Sequence, residues 1–283
     1  MKFIYFGIAM MGLVLQGCNS GLGLQTPPSE EDQSFVIYYL EDVREVHIHA
    51  RNGVGNEAKT TIIPGPGGPF DTKLRASLRS GPFDDDYLEE DFALFDSAWE
   101  TNDPATGSPP RKIHEIWFHG SSGEDRFTNS TDIPSIAFGR GGNDTLTGGT
   151  STDELHGHDD IDLLSGDAGD DFLYGGFGSD VLFGGPGDDY LHVKATGNDA
   201  DNNVLCGGNG ADELNAAPFV SNSLDSETAG GDDGDVDILR GVNTSSATTI
   251  YEFVQGNDVI FENGNFIDPL SGNLPFSQVI DCG

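Results

Sequence analysis

Aspartate recurs at every ninth residue through the middle of the chain, at Asp144, Asp153, Asp162, Asp171, Asp180 and Asp189. Carboxylate oxygens set at a fixed interval are ligands for hard cations. The balance of the whole chain agrees: 13 Lys and Arg against 48 Asp and Glu give a net charge of −35. Such a charge favours cations as partners and argues against nucleic-acid backbones and anionic lipid surfaces. A second stretch with chemical potential is HEIWFH, His114 to His119. Zinc peptidases place two histidines four apart on one helix face. Here they are five apart, which on a helix sets them about 140° from one another. Counting back nine from Phe127 reaches Phe118, with Ile116 two before it, so the stretch is expected to be a strand with His114 and His119 as incidental polar positions.

Those aspartates sit in a repeat. Written in nines from Gly139, the chain reads GRGGNDTLT, GGTSTDELH, GHDDIDLLS, GDAGDDFLY, GGFGSDVLF, GGPGDDYLH. Position one is Gly (139, 148, 157, 166, 175, 184), position six is Asp, and position eight is Leu (146, 155, 164, 173, 182, 191). Residues two apart share one face of a strand, so the leucine at eight can point into a core while the glycines let the preceding loop turn tightly. Position four is Gly except at Ser151 and Asp160. Asp tolerates the left-handed region better than Ser, so the loop at Gly148 is expected to depart most.

These units resemble the G-G-x-G-x-D-x-U-x nonapeptide of the repeats-in-toxin (RTX) family of calcium-binding repeats. Upstream, GSSGEDRFT places Asp125 and Phe127 in the key columns, followed by a degenerate ten-residue unit to Phe138. Downstream, Asn203 falls in the aspartate column, Asp212 and Leu214 restore the pattern, and Asp237 and Leu239 repeat it. The resemblance implies an all-β right-handed parallel β-roll in which two nonapeptides make one turn, so that Asp144 lies over Asp162 and Asp153 over Asp171. It implies metal ligands at Asp125, Asp144, Asp153, Asp162, Asp171, Asp180, Asp189 and Asp212. It implies carbonyl oxygens from the backbone at Gly120, Gly139, Gly141, Gly148, Gly157, Gly166, Gly175, Gly184 and Gly207. At the ~4.8 Å spacing of neighbouring strands, two carboxylates repel by about 3 kcal/mol at an effective dielectric near 20. Neutralisation is therefore required, and Ca²⁺, with six to eight oxygen ligands, suits it better than Mg²⁺. Three intervals in each of two ladders of four imply about six ions.

The flanks are expected to divide as follows: signal peptide 1–17, tether 18–33, a small α+β N-terminal domain 34–112, the roll 113–241 and a C-terminal cap 242–283. Lys2 and the apolar run from Phe3 to Leu15 fit a secretory signal. Leu15-Gln16-Gly17-Cys18 resembles the bacterial lipobox, which implies lipidation of Cys18, a membrane anchor at the N-terminus and an outer-membrane or cell-surface location, with simple secretion as the alternative. Cys206 and Cys282 are then an even pair, either disulfide-bonded or free thiols. In the N-terminal segment, SFVIYYL and REVHIHA read as strands, with Val46 and Ile48 together. Leu88, Phe92, Phe95 and Trp99 fall at helical spacing behind an acidic start and predict a helix. His47 and His49 alternate on one strand face and could chelate a transition metal, but no third ligand is identifiable. His156 and His158 flank Gly157 in a loop.

The expected function is calcium binding by an exported structural protein whose roll folds on Ca²⁺, with a cell-surface or glycan ligand as one extension. The alternative is an accessory calcium module of an extracellular hydrolase, although residues 34–112 hold no recognised catalytic motif.

Overall fold

A computed structural model describes residues 35–65, 72–81, 86–95, 113–194, 202–216, 221–225, 237–241, 249–252, 259–262 and 265–267. Every regular element among them is a β-strand, and the strands assort into two sheets. The first runs, in spatial order, β1 (Val36–Leu40), β2 (Glu45–His49), β6 (Glu115–His119), β8 (Ser135–Arg140), β10 (Glu154–Asp159), β12 (Phe172–Phe177), β14 (Tyr190–Lys194), β16 (Glu213–Asn215), β18 (Ile238–Gly241), β20 (Val259–Glu262) and β21 (Asn265–Ile267). The second runs β19 (Thr249–Glu252), β17 (Ser221–Asp225), β15 (Asn202–Asn209), β13 (Val181–Pro186), β11 (Leu163–Ser165), β9 (Thr145–Thr147), β7 (Arg126–Ser130), β3 (Asn56–Pro64), β4 (Thr72–Ser80) and β5 (Tyr87–Ala93).

From β6 to β20 successive strands go to opposite sheets, and neighbours within a sheet are parallel, which is a parallel β-roll. The register follows directly from the nine-residue period. Leu146 pairs with Leu164 and Leu164 with Leu182 in one sheet; Leu155 pairs with Leu173 and Leu173 with Leu191 in the other. All six of these leucines are fully buried. The outer coils extend the two rows with other apolar residues: Ile48, Phe118, Ala137, Leu214, Leu239 and Ile260 on one side, Ala58, Phe127, Leu205 and Leu224 on the other. Phe118 and Phe127 stack across the core at 5.1 Å, and each has an alanine beside it in register, Ala137 and Ala58. Large next to small keeps a thin core filled without strain.

Among the described residues the expected α+β domain is not found. β2 pairs in parallel with β6, and β3 with β7, so the N-terminal strands extend the same two sheets and share the same core. The end of the roll is finished by antiparallel strands, β1 on β2 and the meander β3–β4–β5. The expected helix is strand β5, in which Leu88 and Phe92 pair with Leu78 and Leu74. A spacing of four satisfies both a period of two and a period near 3.6, so these two positions did not discriminate. The charged residues between them do: exposure alternates residue by residue along β5, as only a strand requires. Trp99 lies outside the described residues. At the other end, β19 and β20 continue the two sheets, and β21 turns back antiparallel on β20.

The two faces of each strand differ sharply. Leu164 is fully buried whereas its neighbour Leu163 is 40 % exposed. In denaturant unfolding of the calcium-saturated protein, Leu164→Ala is expected to cost about 2–5 kcal/mol. Leu163→Ala should stay within about 0.5 kcal/mol. Equal losses would contradict the register.

Candidate metal centre

The aspartates at position six close each loop at the start of its strand and point into the roll; all eight of the expected ligands are at most 3 % exposed. They form two rows. In the first, the backbone N–H of Asp125 donates to Asp144 Oδ1 at 2.7 Å, Asp144 to Asp162 at 2.8 Å, and Asp162 to Asp180 at 3.0 Å. In the second, Asp153 donates to Asp171 at 2.7 Å, Asp171 to Asp189 at 2.8 Å, and Asp189 to Asp212 at 2.8 Å. Each carboxylate thus ties itself to the backbone of the coil before it. Asn203 continues the first row, accepting from the Asp180 N–H at 2.9 Å, and Asp237 continues the second, accepting from Asp212 at 2.7 Å.

Sequence reasoning missed the starts of both rows. Asn56 donates to Asp125 Oδ1 through its backbone and side chain, at 2.8 and 2.7 Å. Ser135 does the same to Asp153 Oδ1, at 2.6 Å each. A signal for Asn56 exists: GVGNEA has the loop glycines, a polar residue at six and Ala58 at eight. These two donors replace a carboxylate where a row must end, so no like charge is left facing the last aspartate.

The second oxygen of each carboxylate is the informative one. Oδ2 of Asp125 and of Asp153 accept from the N–H groups of Ser121 and Gly149, at 2.5 and 2.6 Å. Oδ2 of Asp144, Asp162, Asp171 and Asp189 is buried with no hydrogen-bond partner. The position-one glycine stands against it. A methyl group on Gly139, Gly157, Gly166 or Gly184 would collide with the Oδ2 five residues on. At Gly157, Gly166 and Gly184 the same space is bordered by the carbonyl oxygen of the position-one glycine of the next coil, Gly175, Gly184 and Gly207. Acceptors therefore converge there without a donor. At Gly141 a side chain would meet nothing, so that loop position is open.

Burial is the main reason these carboxyl groups resist ionisation, with neighbouring carboxylates adding to it. Asp144 and Asp171 are pushed up to about 8, Asp162 and Asp189 to about 7. Burial also raises Asp125 and Asp153, against opposing hydrogen bonds. Without a cation, Asp144 and Asp171 are mostly protonated near neutral pH, and Asp162 and Asp189 about half so.

Loop chemistry follows position four. Gly142, Gly169, Gly178 and Gly187 have φ between +94° and +145°, and Asp160 takes +79°. Ser151 is not among the positive-φ residues; its hydroxyl donates to the Asp132 carbonyl at 2.9 Å instead. The loop at Gly148 departs because it stacks on the degenerate unit before Phe138, through Thr150 N–H to Thr131 O at 3.1 Å.

Outside the rows, Cys206 is disulfide-bonded, while Cys282 and Cys18 lie outside the described residues. HEIWFH provides strand β6. His114 is exposed, 3.3 Å from Arg44 through Nε2. His119 is not incidental: it packs against His47 and His49, whose rings are 9 % and 6 % exposed as residues. Burial lowers His47 and brings His49 down to about 2 and His119 to about 3, so all three imidazoles are neutral at neutral pH.

The comparison with protein families agrees with the geometry of the rows. The family model for the RTX calcium-binding nonapeptide repeat (4 copies) matches residues 136–164 and again residues 156–191. No curated protein and no solved structure matches the chain. Two parallel sheets in eighteen-residue register, a buried aspartate closing each loop and this match lead to one conclusion: the chain carries RTX calcium-binding nonapeptide repeats over residues 136–191.

Proposed function

We propose that the chain is an exported calcium-binding structural protein whose roll is completed by Ca²⁺ held along the two aspartate rows. The observation that carries this reading is the set of four buried carboxylate oxygens, on Asp144, Asp162, Asp171 and Asp189, that find no donor in the protein. Three of them share their space with a carbonyl oxygen of the next coil. Hard Ca²⁺ takes such mixed carboxylate and carbonyl sets, and its charge offsets both the burial and the mutual repulsion of the row. The ligands are Asp125, Asp144, Asp153, Asp162, Asp171, Asp180, Asp189 and Asp212, with about six ions between neighbouring members. Export through the N-terminal signal, with a lipid on Cys18, delivers the chain to a calcium-rich compartment. Extracellular modules typically bind at about 10⁻⁴–10⁻³ M, so the roll tightens there and stays loose before export. A rigid, acidic rod tethered to a surface suits adhesion to a cell-surface or glycan ligand.

Calorimetric titration of the full chain with Ca²⁺ tests the ligand assignment. Asp162→Asn keeps an acceptor for the row, as Asn203 does naturally, but removes the charge between two neighbouring sites. It is expected to lower the number of ions bound by two and to raise the calcium concentration needed for folding severalfold. Asp42→Asn, in the exposed turn between β1 and β2, should change neither. A wild-type protein that binds no calcium, or an Asp162→Asn variant that binds it unchanged, would overturn the assignment.

The raised acidities give a pH dependence with a definite sign. In the unfolded chain these aspartates ionise near pH 4, whereas in the calcium-free roll Asp144, Asp162, Asp171 and Asp189 hold their protons to about 7 or 8. A carboxyl with a raised folded pKa contributes its stability in full below about pH 4 and loses it as pH rises through the folded value. The urea midpoint of the calcium-free protein is therefore expected to fall between about pH 5 and pH 8.5, by linkage. Saturating calcium should abolish the fall. A calcium-free midpoint that is flat or rising over that window would be the contrary result.

A further inference from the structure

At the N-terminal end of the roll, three histidines from two strands converge on the face of the first sheet opposite the core. His47 and His49 are two apart on β2, so they share that face, and His49 stands directly across from His119 in the parallel pairing of β2 with β6. One ring nitrogen from each lies within 4.8 Å of the others. His47 Nδ1 is 3.2 Å from His119 Nε2, while His49 and His119 stack face to face with centroids 4.0 Å apart, so a turn of the His49 ring about its side-chain torsions brings its in-plane lone pair onto the same point.

The tautomer of His47 is set by its neighbour. Glu45 Oε2 is 3.0 Å from His47 Nε2. A carboxylate only accepts, so Nε2 carries the proton and the lone pair on Nδ1 faces His119. A carboxylate behind an imidazole in this way is the usual second layer of a histidine metal site. Zn–N bonds of about 2.0–2.1 Å place two ligand nitrogens of a tetrahedral ion about 3.3 Å apart. The His47 to His119 separation already meets that value. Tyr38 supports the third ring, its hydroxyl 3.1 Å from His49 Nε2, and stacks on His47 at 5.2 Å. Arg140 is the nearby charge that opposes a cation; Glu45 is the one that favours it.

We propose that His47, His49 and His119 form a second metal site, specific for a zinc-like divalent transition ion, that pins the β1–β2 hairpin to β6. Imidazole nitrogens suit zinc, nickel and copper, whereas calcium and magnesium prefer oxygen, so this site and the aspartate rows do not compete for the same ion. Three protein donors leave a fourth position for water or an anion, reached from the side of His119, the least buried of the three.

The test uses tag-free full chain in excess Ca²⁺, titrated with Zn²⁺ against a chromophoric chelator, with bound metal counted by elemental analysis. One zinc per chain is expected. His119→Phe keeps an aromatic ring in the stack and removes the nitrogen; together with His49→Ala it should abolish that zinc while circular dichroism of the calcium-loaded protein is unchanged. Glu45→Gln leaves the three ligands in place and is expected to weaken zinc by about 10–100-fold. His156→Ala, further along the same sheet, and His114→Ala should have no effect. Cobalt in place of zinc should give the visible absorption of a tetrahedral nitrogen site, and zinc should raise the melting temperature of the wild type but not of Glu45→Gln at equal metal. The proposal is overturned if wild type binds no zinc in excess calcium, if His119→Phe binds it unchanged, or, should that variant not fold, if Glu45→Gln leaves affinity unaltered. Calcium binding by the aspartate rows is measured separately in each variant, so failure of this site and failure of the calcium reading are distinguishable.

Discussion

Everything in this molecule rests on stacking one buried carboxyl group upon another. Oδ1 of each aspartate anchors to the backbone of the preceding coil, at 2.7–3.0 Å along both rows, and so fixes the register between coils on which the leucine core depends. The same arrangement buries like charges in line. Hydrogen bonding to one oxygen cannot offset that alone, as the upward displacement of Asp144, Asp162, Asp171 and Asp189 shows. Register and cation demand are thus two consequences of one contact. The position-one glycines complete it, because any side chain there would displace the second oxygen.

The central coils were legible because each column carries a single physical instruction. Leucine at eight means core, aspartate at six means loop closure, and both held wherever the nine-residue count held. The count even reached Asn203, which keeps the row's acceptor after an insertion. Legibility failed where the roll continues without the repeat. Ala58 and Ile48 occupy core columns, and Asn56 heads a row, yet no run of glycine and aspartate surrounds them. A coil at the end of a solenoid faces different neighbours and loses the consensus that identifies it. Residues 34–112 then read as a separate domain, although their described strands extend the two sheets and finish the second one antiparallel.

The histidines show a limit of a different kind. Sequence placed His47 and His49 on one face, but the third member lies 70 residues further on and is brought alongside only by the parallel pairing of β2 with β6. HEIWFH drew attention through a pattern that needs a helix; as a strand it contributes one residue, His119, to a histidine cluster made by topology. Nothing local to the segment encodes that partnership. The aspartate rows, by contrast, are built in the central coils from contacts eighteen residues apart and are written along the chain there.

Protons and calcium must compete for the same oxygens if the rows are what the roll depends on. Proton release on calcium binding, obtained by calorimetry in buffers of different ionisation enthalpy, measures this directly. Near pH 6.5 calcium should displace protons from the four raised carboxyl groups, and the release should shrink toward zero by about pH 9, where they are already ionised. Calcium binding with no proton release at any pH in that range would contradict the account.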